Sequence, residues 1–438
     1  MSINMIIKIK RVVLCVGCLV ALAITAFPVS AQEKLNLSLQ QAMDMAVERN
    51  NTLKNAAMDI QIAQANKWAA IAQMLPQITA SGDYSNFMGY EMDLRGMTIA
   101  MPPYVTLGVR SSLTFTPALL VNTQISEISR KMSDITLQQS EQDITNQVKT
   151  LYLSALVSEE VLNLLGRNLE CLERLHDMTM TSVKVGASEQ TAADQIAVQV
   201  AQLENSIASS KRALEMTYNS MRLLLDVDVA TELDLTDTLD TLMATDDYLN
   251  LIGEEFDMER NYTWQLAQQS TEMAKKQLDA TIMSGMPSLT AYHQYSYKEY
   301  LSKDANVMNM TPPNMIGATL SVPIFTSMQQ TKKVQAARLA YQKQQNTMHD
   351  TEQSLQVQHS QLCYNLSTAY DTYNAQKQNM EVTQRVFDNI SKRYELGYSS
   401  AMDLTNTGTT LINAQSTYVQ SIMEFLNARI ALEKLLNK

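Results

Sequence analysis

Residue types able to do covalent or metal chemistry occur along this 438-residue chain, but they do not gather. The four histidines, His176, His293, His349 and His359, are scattered, and no histidine–cysteine ligand set is expected from them. The carboxylate pairs Glu159–Glu160 and Glu254–Glu255 fall on helical stretches and read as solvated faces, not acid–base pairs. No nucleophile with its base and no phosphate-cradling glycine loop emerges, so no catalytic residue, cofactor site or enzyme is expected. Cys171 and Cys363 lie at different distances from the glycines that end their helices. Helices ending at one level would set them apart in height by about 28 Å, so free buried thiols are expected. Soft metals need a separate weighing. Met88, Met92, Met97 and Met101 form one cluster, and Met308, Met310 and Met315 another, and thioethers suit Cu(I). However, the 28 methionines are spread through the whole chain, where they fill gaps between packed helices, so no metal site is expected.

With chemistry absent, the elements become the informative level. The chain is written twice. Arg49-Asn50 recurs as Arg260-Asn261, Tyr84-Ser85 as Tyr295-Ser296, Gly186 as Gly397 and Leu224-Leu225 as Leu435-Leu436, each 211 residues apart. A register kept over that length means two copies of one structural unit. Lys8, Lys10 and Arg11 precede an apolar run from Val12 to Phe27, and Val29-Ser30-Ala31 supplies small residues for cleavage. Residues 1–31 therefore read as a signal peptide, residues 32–225 as the first repeat and 248–438 as the second. Between them, 226–247 lies in a stretch from Leu223 to Glu259 with no basic residue and twelve acids, which reads as a solvated connector. Loss of the signal peptide takes the net charge from −11 to about −14, which argues against a nucleic-acid partner. No later stretch is long and apolar enough for a membrane-spanning helix, so any membrane contact must be made by strands.

Proline separates the two kinds of element. Outside the signal segment, every proline lies within 75–117 or 286–326, and the remaining stretches are rich in Ala, Gln, Leu, Met, Glu and Lys. Those stretches read as long helices, about 118–185 and 327–396, with Gly166 a candidate interruption of the first. After each tip glycine a further helix carries a seam at spacings of three and four, with Val200, Leu203, Ile207, Leu214, Met221 and Leu225 in the first copy. The proline windows carry period-two patterns. Val105, Leu107, Val109, Leu113 and Phe115 alternate with polar residues, as do Ile316, Ala318, Leu320 and Val322. Strands are expected at about 77–87, 105–116, 288–298 and 315–325, joined by external turns at about 88–104 and 299–315. Two chains would contribute eight such strands, a barrel filled by side chains, and three would contribute twelve, wide enough for an aqueous lumen. The fold class is thus mainly α with a transmembrane β-barrel contribution. It is a duplicated strand-plus-long-helix unit with four strands per chain, giving a trimeric twelve-stranded barrel continued by an α-helical barrel.

Several segments carry a family resemblance when taken together in this doubled register. They are Leu39 to Ala46 leading into Asn50, Leu75-Pro76-Gln77-Ile78, Val322-Pro323-Ile324-Phe325, and Arg393-Tyr394-Glu395-Leu396-Gly397 with Asp403 beyond. Over essentially the whole mature length the chain resembles the TolC-type outer-membrane efflux proteins. The resemblance implies a homotrimeric channel-tunnel, its barrel among outer-membrane lipid and its helices in the periplasm. It implies a passive exit duct of a tripartite efflux pump for small molecules, working with a periplasmic adaptor (membrane fusion) protein and an inner-membrane RND or ABC transporter. The exit duct of a type I protein secretion system is the alternative on the same scaffold. A non-conducting helical stalk protein of the envelope is the alternative of another class.

The resemblance also implies candidate site residues. Helix–turn–helix tips at Val185-Gly186-Ala187 and Leu396-Gly397-Tyr398 would form the entrance and dock the adaptor. Asp403 matches a pore-facing aspartate, and Tyr394 a gating contact. Three positions depart from or blur that pattern. Asn406 stands where some relatives carry an acid, Ala192 stands six residues beyond Gly186, and Asp194 follows as either a gate residue or a turn cap. For Asp403 the competing role is capping of a helix start.

Overall fold

The computed structural model describes residues 34–94, 97–242, 248–301 and 312–438. The expected signal segment and most of the second external turn, with Met308 and Met310, lie outside the described residues. The described chain is mostly helical and falls into two compact units, each assembled from both halves of the sequence. Repetition along the chain and packing in space therefore divide it differently.

One unit gathers residues 34–48, 148–244 and 381–419. It holds strand β1 (Lys34–Leu37) and helix α1 (Leu39–Arg49) up to Glu48. The same unit takes most of the tip-ward helical length. The other gathers Arg49–Gln147, Thr245–Met380 and Gln420–Lys438, including helix α2 (Asn51–Ala72) and strands β2 (Gln77–Ser85), β3 (Glu91–Leu94), β4 (Met97–Ala100) and β5 (Tyr104–Phe115). Helix α3 (Pro117–Lys184) opens on a proline, whose missing N–H costs nothing in a first turn. It runs through Gly166 without a break, correcting the expected interruption; a Cβ there would meet nothing, and a single exposed glycine only weakens a long helix. Helix α4 (Gln190–Leu225) follows the first tip, and strand β6 (Glu232–Leu235) follows it. Then come α5 (Tyr262–Met283), strands β7 (Ser288–Tyr300) and β8 (Asn314–Ser321), and helices α6 (Gln329–Glu395) and α7 (Ala401–Leu436).

The repeated Asn50 and Asn261 do the same work. Each caps a helix start, Asn50 Oδ1 accepting from Thr52 N–H (2.8 Å) and Asn261 Oδ1 from Thr263 N–H (3.0 Å). Asn261 Nδ2 also donates to the Leu435 carbonyl (3.1 Å), beside a core of Trp264, Leu355 and Leu435.

The four long strands form one antiparallel sheet in the order β2-β5-β7-β8. Besides this four-stranded sheet, the described residues hold two short pairs that were not expected. A β3–β4 hairpin sits within the expected external turn 88–104, and a parallel β1–β6 pair uses part of the expected connector. In that parallel pair Lys34 bridges Asp234 (3.0 Å). The buried Tyr152 hydroxyl lies 2.9 Å from the Leu37 carbonyl, while Leu39 N–H donates to Asp237 (2.7 Å). Burial pushes the Tyr152 phenol up. The expected last strand also ends early, at Ser321 and not 325. Pro323 cannot donate to a ladder, and Ile324 and Phe325 lie beyond it fully in solvent.

One face of the sheet is apolar and open. Ile78, Leu107, Phe115, Leu289, Ile316 and Leu320 are all exposed on it. Among the described residues β2 pairs only with β5 and β8 only with β7, so both outer edges stay open.

Candidate functional site

Both helical tips lie in the first unit, and both close by the same hydrogen bonds. Gly186 N–H donates to the Val183 carbonyl (3.0 Å) and Ala187 N–H to the Ser182 carbonyl (2.8 Å). Gly397 N–H donates to the Tyr394 carbonyl (2.9 Å) and Tyr398 N–H to the Arg393 carbonyl (2.7 Å). This is the Schellman closure of a helix, which needs a left-handed residue after the last turn. The glycines supply it at φ +74° and +79°. Val185, Leu396 and Tyr398 each keep at least 70% of their surface in solvent, so each turn presents apolar side chains outward.

The two helix starts after these turns differ. At the second, Ser400 Oγ accepts from Asp403 N–H (3.1 Å) while Asp403 Oδ2 accepts from Ser400 N–H (3.2 Å) and its hydroxyl (2.7 Å). That reciprocal pair is a capping box. The Ser400 hydroxyl first, and then its N–H, hold the Asp403 carboxyl below its ordinary value. Asp403 therefore caps α7, yet it remains exposed, and the hydrogen bonds from Ser399 and Ser400 all fall on its Oδ2. Asn406 is exposed three residues further along the helix. At the first tip, Glu189 occupies the cap position with no side-chain cap bond. Asp194 is not a turn cap, correcting that option; it sits within α4 and accepts from Gln190 Nε2 (2.8 Å). Ala192 is half-buried beside it.

Tyr394 is held inside the unit. Its hydroxyl lies 2.6 Å from Thr179 Oγ, which itself donates to the Leu175 carbonyl (2.7 Å), leaving Tyr394 as the donor. Tyr394 packs against the buried cluster that Leu175, Ile196, Phe387, Leu404 and Leu411 form. Thr179 was not singled out in the sequence. The signal was present, because Leu165, Leu172, Leu175 and Thr179 share a seam at spacings of seven, three and four. Two more polar groups interrupt the same apolar packing. Asn168 Nδ2 donates to Gln415 Oε1 (2.6 Å), and Gln199 Nε2 donates to the Thr405 carbonyl (2.7 Å). Buried polar pairs of this kind fix helix register, since a slip would leave them unpaired.

The scattered-histidine expectation needs one correction. His359 and Cys363 stand one helical turn apart on α6, with Sγ 3.5 Å from Nε2. Burial pushes the Cys363 thiol up, away from the thiolate that binds metals. Among the described residues no three His, Cys, Asp or Glu side chains gather as a metal site, and both cysteines are free. No described helix is long and apolar enough to cross a membrane.

Comparison with known proteins gives a consistent picture. A family model described as outer membrane efflux protein matches residues 42–226 and 258–438. The gap between those matches falls on the acidic stretch. Outer membrane protein TolC of Escherichia coli (strain K12) is 21% identical over 434 residues, covering 95% of this chain and 85% of that protein. The outer membrane protein VceC from Vibrio cholerae superposes at a TM-score of 0.76 with 14% identity, covering 91% of this chain and 95% of that one. The open state of the Neisseria gonorrhoeae MtrE outer membrane channel gives 0.74 with 16% identity, covering 91% and 88%. At those identities the solved structures speak for the fold.

Proposed function

The chain belongs to the outer membrane efflux protein family, a family of outer-membrane channels and not of enzymes, and on that premise we propose how it works. It is a homotrimeric channel-tunnel, the passive exit duct of a tripartite efflux pump exporting small molecules. The observation that carries this reading is the four-stranded sheet. An exposed apolar face and two open edges are a liability in water but suit a barrel wall in lipid. Three copies joined edge to edge make twelve strands, enough for an aqueous lumen.

The two tips form the entrance. Their outward Val185, Leu396 and Tyr398 offer apolar anchors to a periplasmic adaptor, and an inner-membrane RND or ABC transporter supplies the energy. Threefold symmetry turns Asp403 into a carboxylate ring that favours cations, with Asn406 behind it. Ala192 and Asp194 give the first tip a different lining from the second.

Purified trimer should open discrete pores in planar bilayers; well-formed trimer that never conducts, even with its tips mutated, would remove the duct and leave a stalk protein. Asp403→Ala should weaken block by di- and trivalent cations, and unchanged block would place Asp403 outside the lumen. A strain lacking the chain should become hypersensitive to small toxic compounds. Unchanged sensitivity together with loss of an exported protein would move the duct to type I secretion.

A further inference from the structure

The polar face of the sheet carries a constellation that the duct reading leaves unused. Register places Arg110 between Thr79 and Gln294, and Lys298 opposite Thr106, on the face away from Leu107 and Val109. The guanidinium carbon of Arg110 lies 4.5 Å from the centre of the Tyr292 ring. That ring is seated over Gly317 of β8, where a Cβ would fall 2.6 Å from it, so only glycine leaves it room. Lys298 Nζ lies 3.6 Å from the centre of the Tyr104 ring and 4.9 Å from that of Tyr300. Tyr104 and Tyr300 meet edge to face at 5.8 Å.

Each cation is thus pinned on an aromatic face, an attraction that orients it without neutralising it. Among the described residues neither cation has a carboxylate partner. Asp83 is the acid on this face, in the same row as Lys298 but two strands away, about 10 Å at the usual strand spacing. At that separation salt screens much of its charge. Bare cations beside aromatic edges match a flat solute with acidic groups on its rim. A small hydrated anion would gain the charge but not the rings.

Resting on the duct reading, in which this face lines the lumen, we propose that Arg110 with Tyr292, and Lys298 with Tyr104 and Tyr300, form two subsites about 14 Å apart along the strands for anionic aromatic solutes within the membrane segment. The site sets a second, opposite charge preference to that of the Asp403 ring.

The test uses full-length trimer in planar bilayers, with pyrenetetrasulfonate added to each compartment in turn and an ammonium-bearing pyrene as control. Wild-type pores should be blocked by the sulfonate, and any block by the ammonium compound, for which the Asp403 ring is the site, should be lost in Asp403→Ala and unchanged in the barrel variants. The half-blocking concentration of the sulfonate should rise about tenfold in Arg110→Gln and in Lys298→Gln, the size of one lost ion pair, and less in Arg110→Lys. Gly317→Val, which evicts the Tyr292 ring, should weaken block while keeping both charges. Equal block by the sulfonate of wild type and the charge variants, or equal block by both pyrenes in Asp403→Ala pores, overturns the site and leaves the duct standing. Well-folded trimer with no conductance removes the duct and this site with it.

Discussion

The first and second tips share a backbone but not a chemistry. Gly186 and Gly397 take the same left-handed conformation, and at each the glycine N–H and the next residue's N–H donate the same pair of closing hydrogen bonds. Beyond them, Ser400 and Asp403 lock the start of α7, whereas Glu189 leaves the start of α4 without a side-chain cap. Duplication has kept what a turn needs and released what it does not. The consequence is an asymmetric pair of tips, one hairpin with a pinned helix start and one whose helix start has no side-chain cap.

The comparison can be broken most sharply at the glycines. Gly186→Val and Gly397→Val each force a β-branched residue into the left-handed region, at a cost of about 1–3 kcal/mol. Hydrogen exchange around the tips should show the same gain in local opening for both; a large effect at one tip alone would end their backbone equivalence. The next effect concerns the caps. Ser400→Ala should loosen the start of α7 by about 1 kcal/mol, and Glu189→Ser should tighten that of α4 by a similar or smaller amount. If neither changes exchange at its own helix start, the capping difference carries no weight. Thr179→Val should cost about 1 kcal/mol in thermal unfolding, because it strands the Tyr394 hydroxyl, while Tyr394→Phe leaves Thr179 bonded to Leu175 and costs less.

The smallest effect is a pH dependence. The Asp403 pKa is depressed in the folded chain, so its contribution is fully present above the ordinary aspartate value. It is lost as pH falls through the depressed value. Exchange at the start of α7 should therefore accelerate on acidification through that range, with no matching Asp403-type step at α4.

Much of the fold was legible because proline and glycine mark it physically. Two of the four long strands followed from period-two alternation inside the proline windows and the other two from weaker, tyrosine-bearing segments before them, to within a few residues at each end. Their misplaced ends have local causes, as at Pro323. The β1–β6 pair was not legible in the same way. Four residues on each side, Leu35 and Leu37 against Leu233 and Leu235, alternate too briefly to stand out across nearly two hundred residues of intervening chain. At the tips the turn glycines were readable because positive φ has a residue preference. The partner of Tyr394 was not, since a threonine in a leucine seam gains meaning only when the facing helix is known. The same holds for Arg110 and Lys298. Their spacing says which face they share, but the tyrosine rings beneath them become visible only through pairing between strands.

The clasp made by β1, Tyr152 and β6 has a consequence for the order in which the chain is built. Every group in it, from Lys34 to Asp237, belongs to the first part of the sequence. A chain threaded outward from its amino end can therefore shut this clasp while the second copy is still arriving. The sheet cannot do the same, since β5 waits for β7 and β7 for β8. During that interval the β2–β5 hairpin holds its apolar face without its later partners.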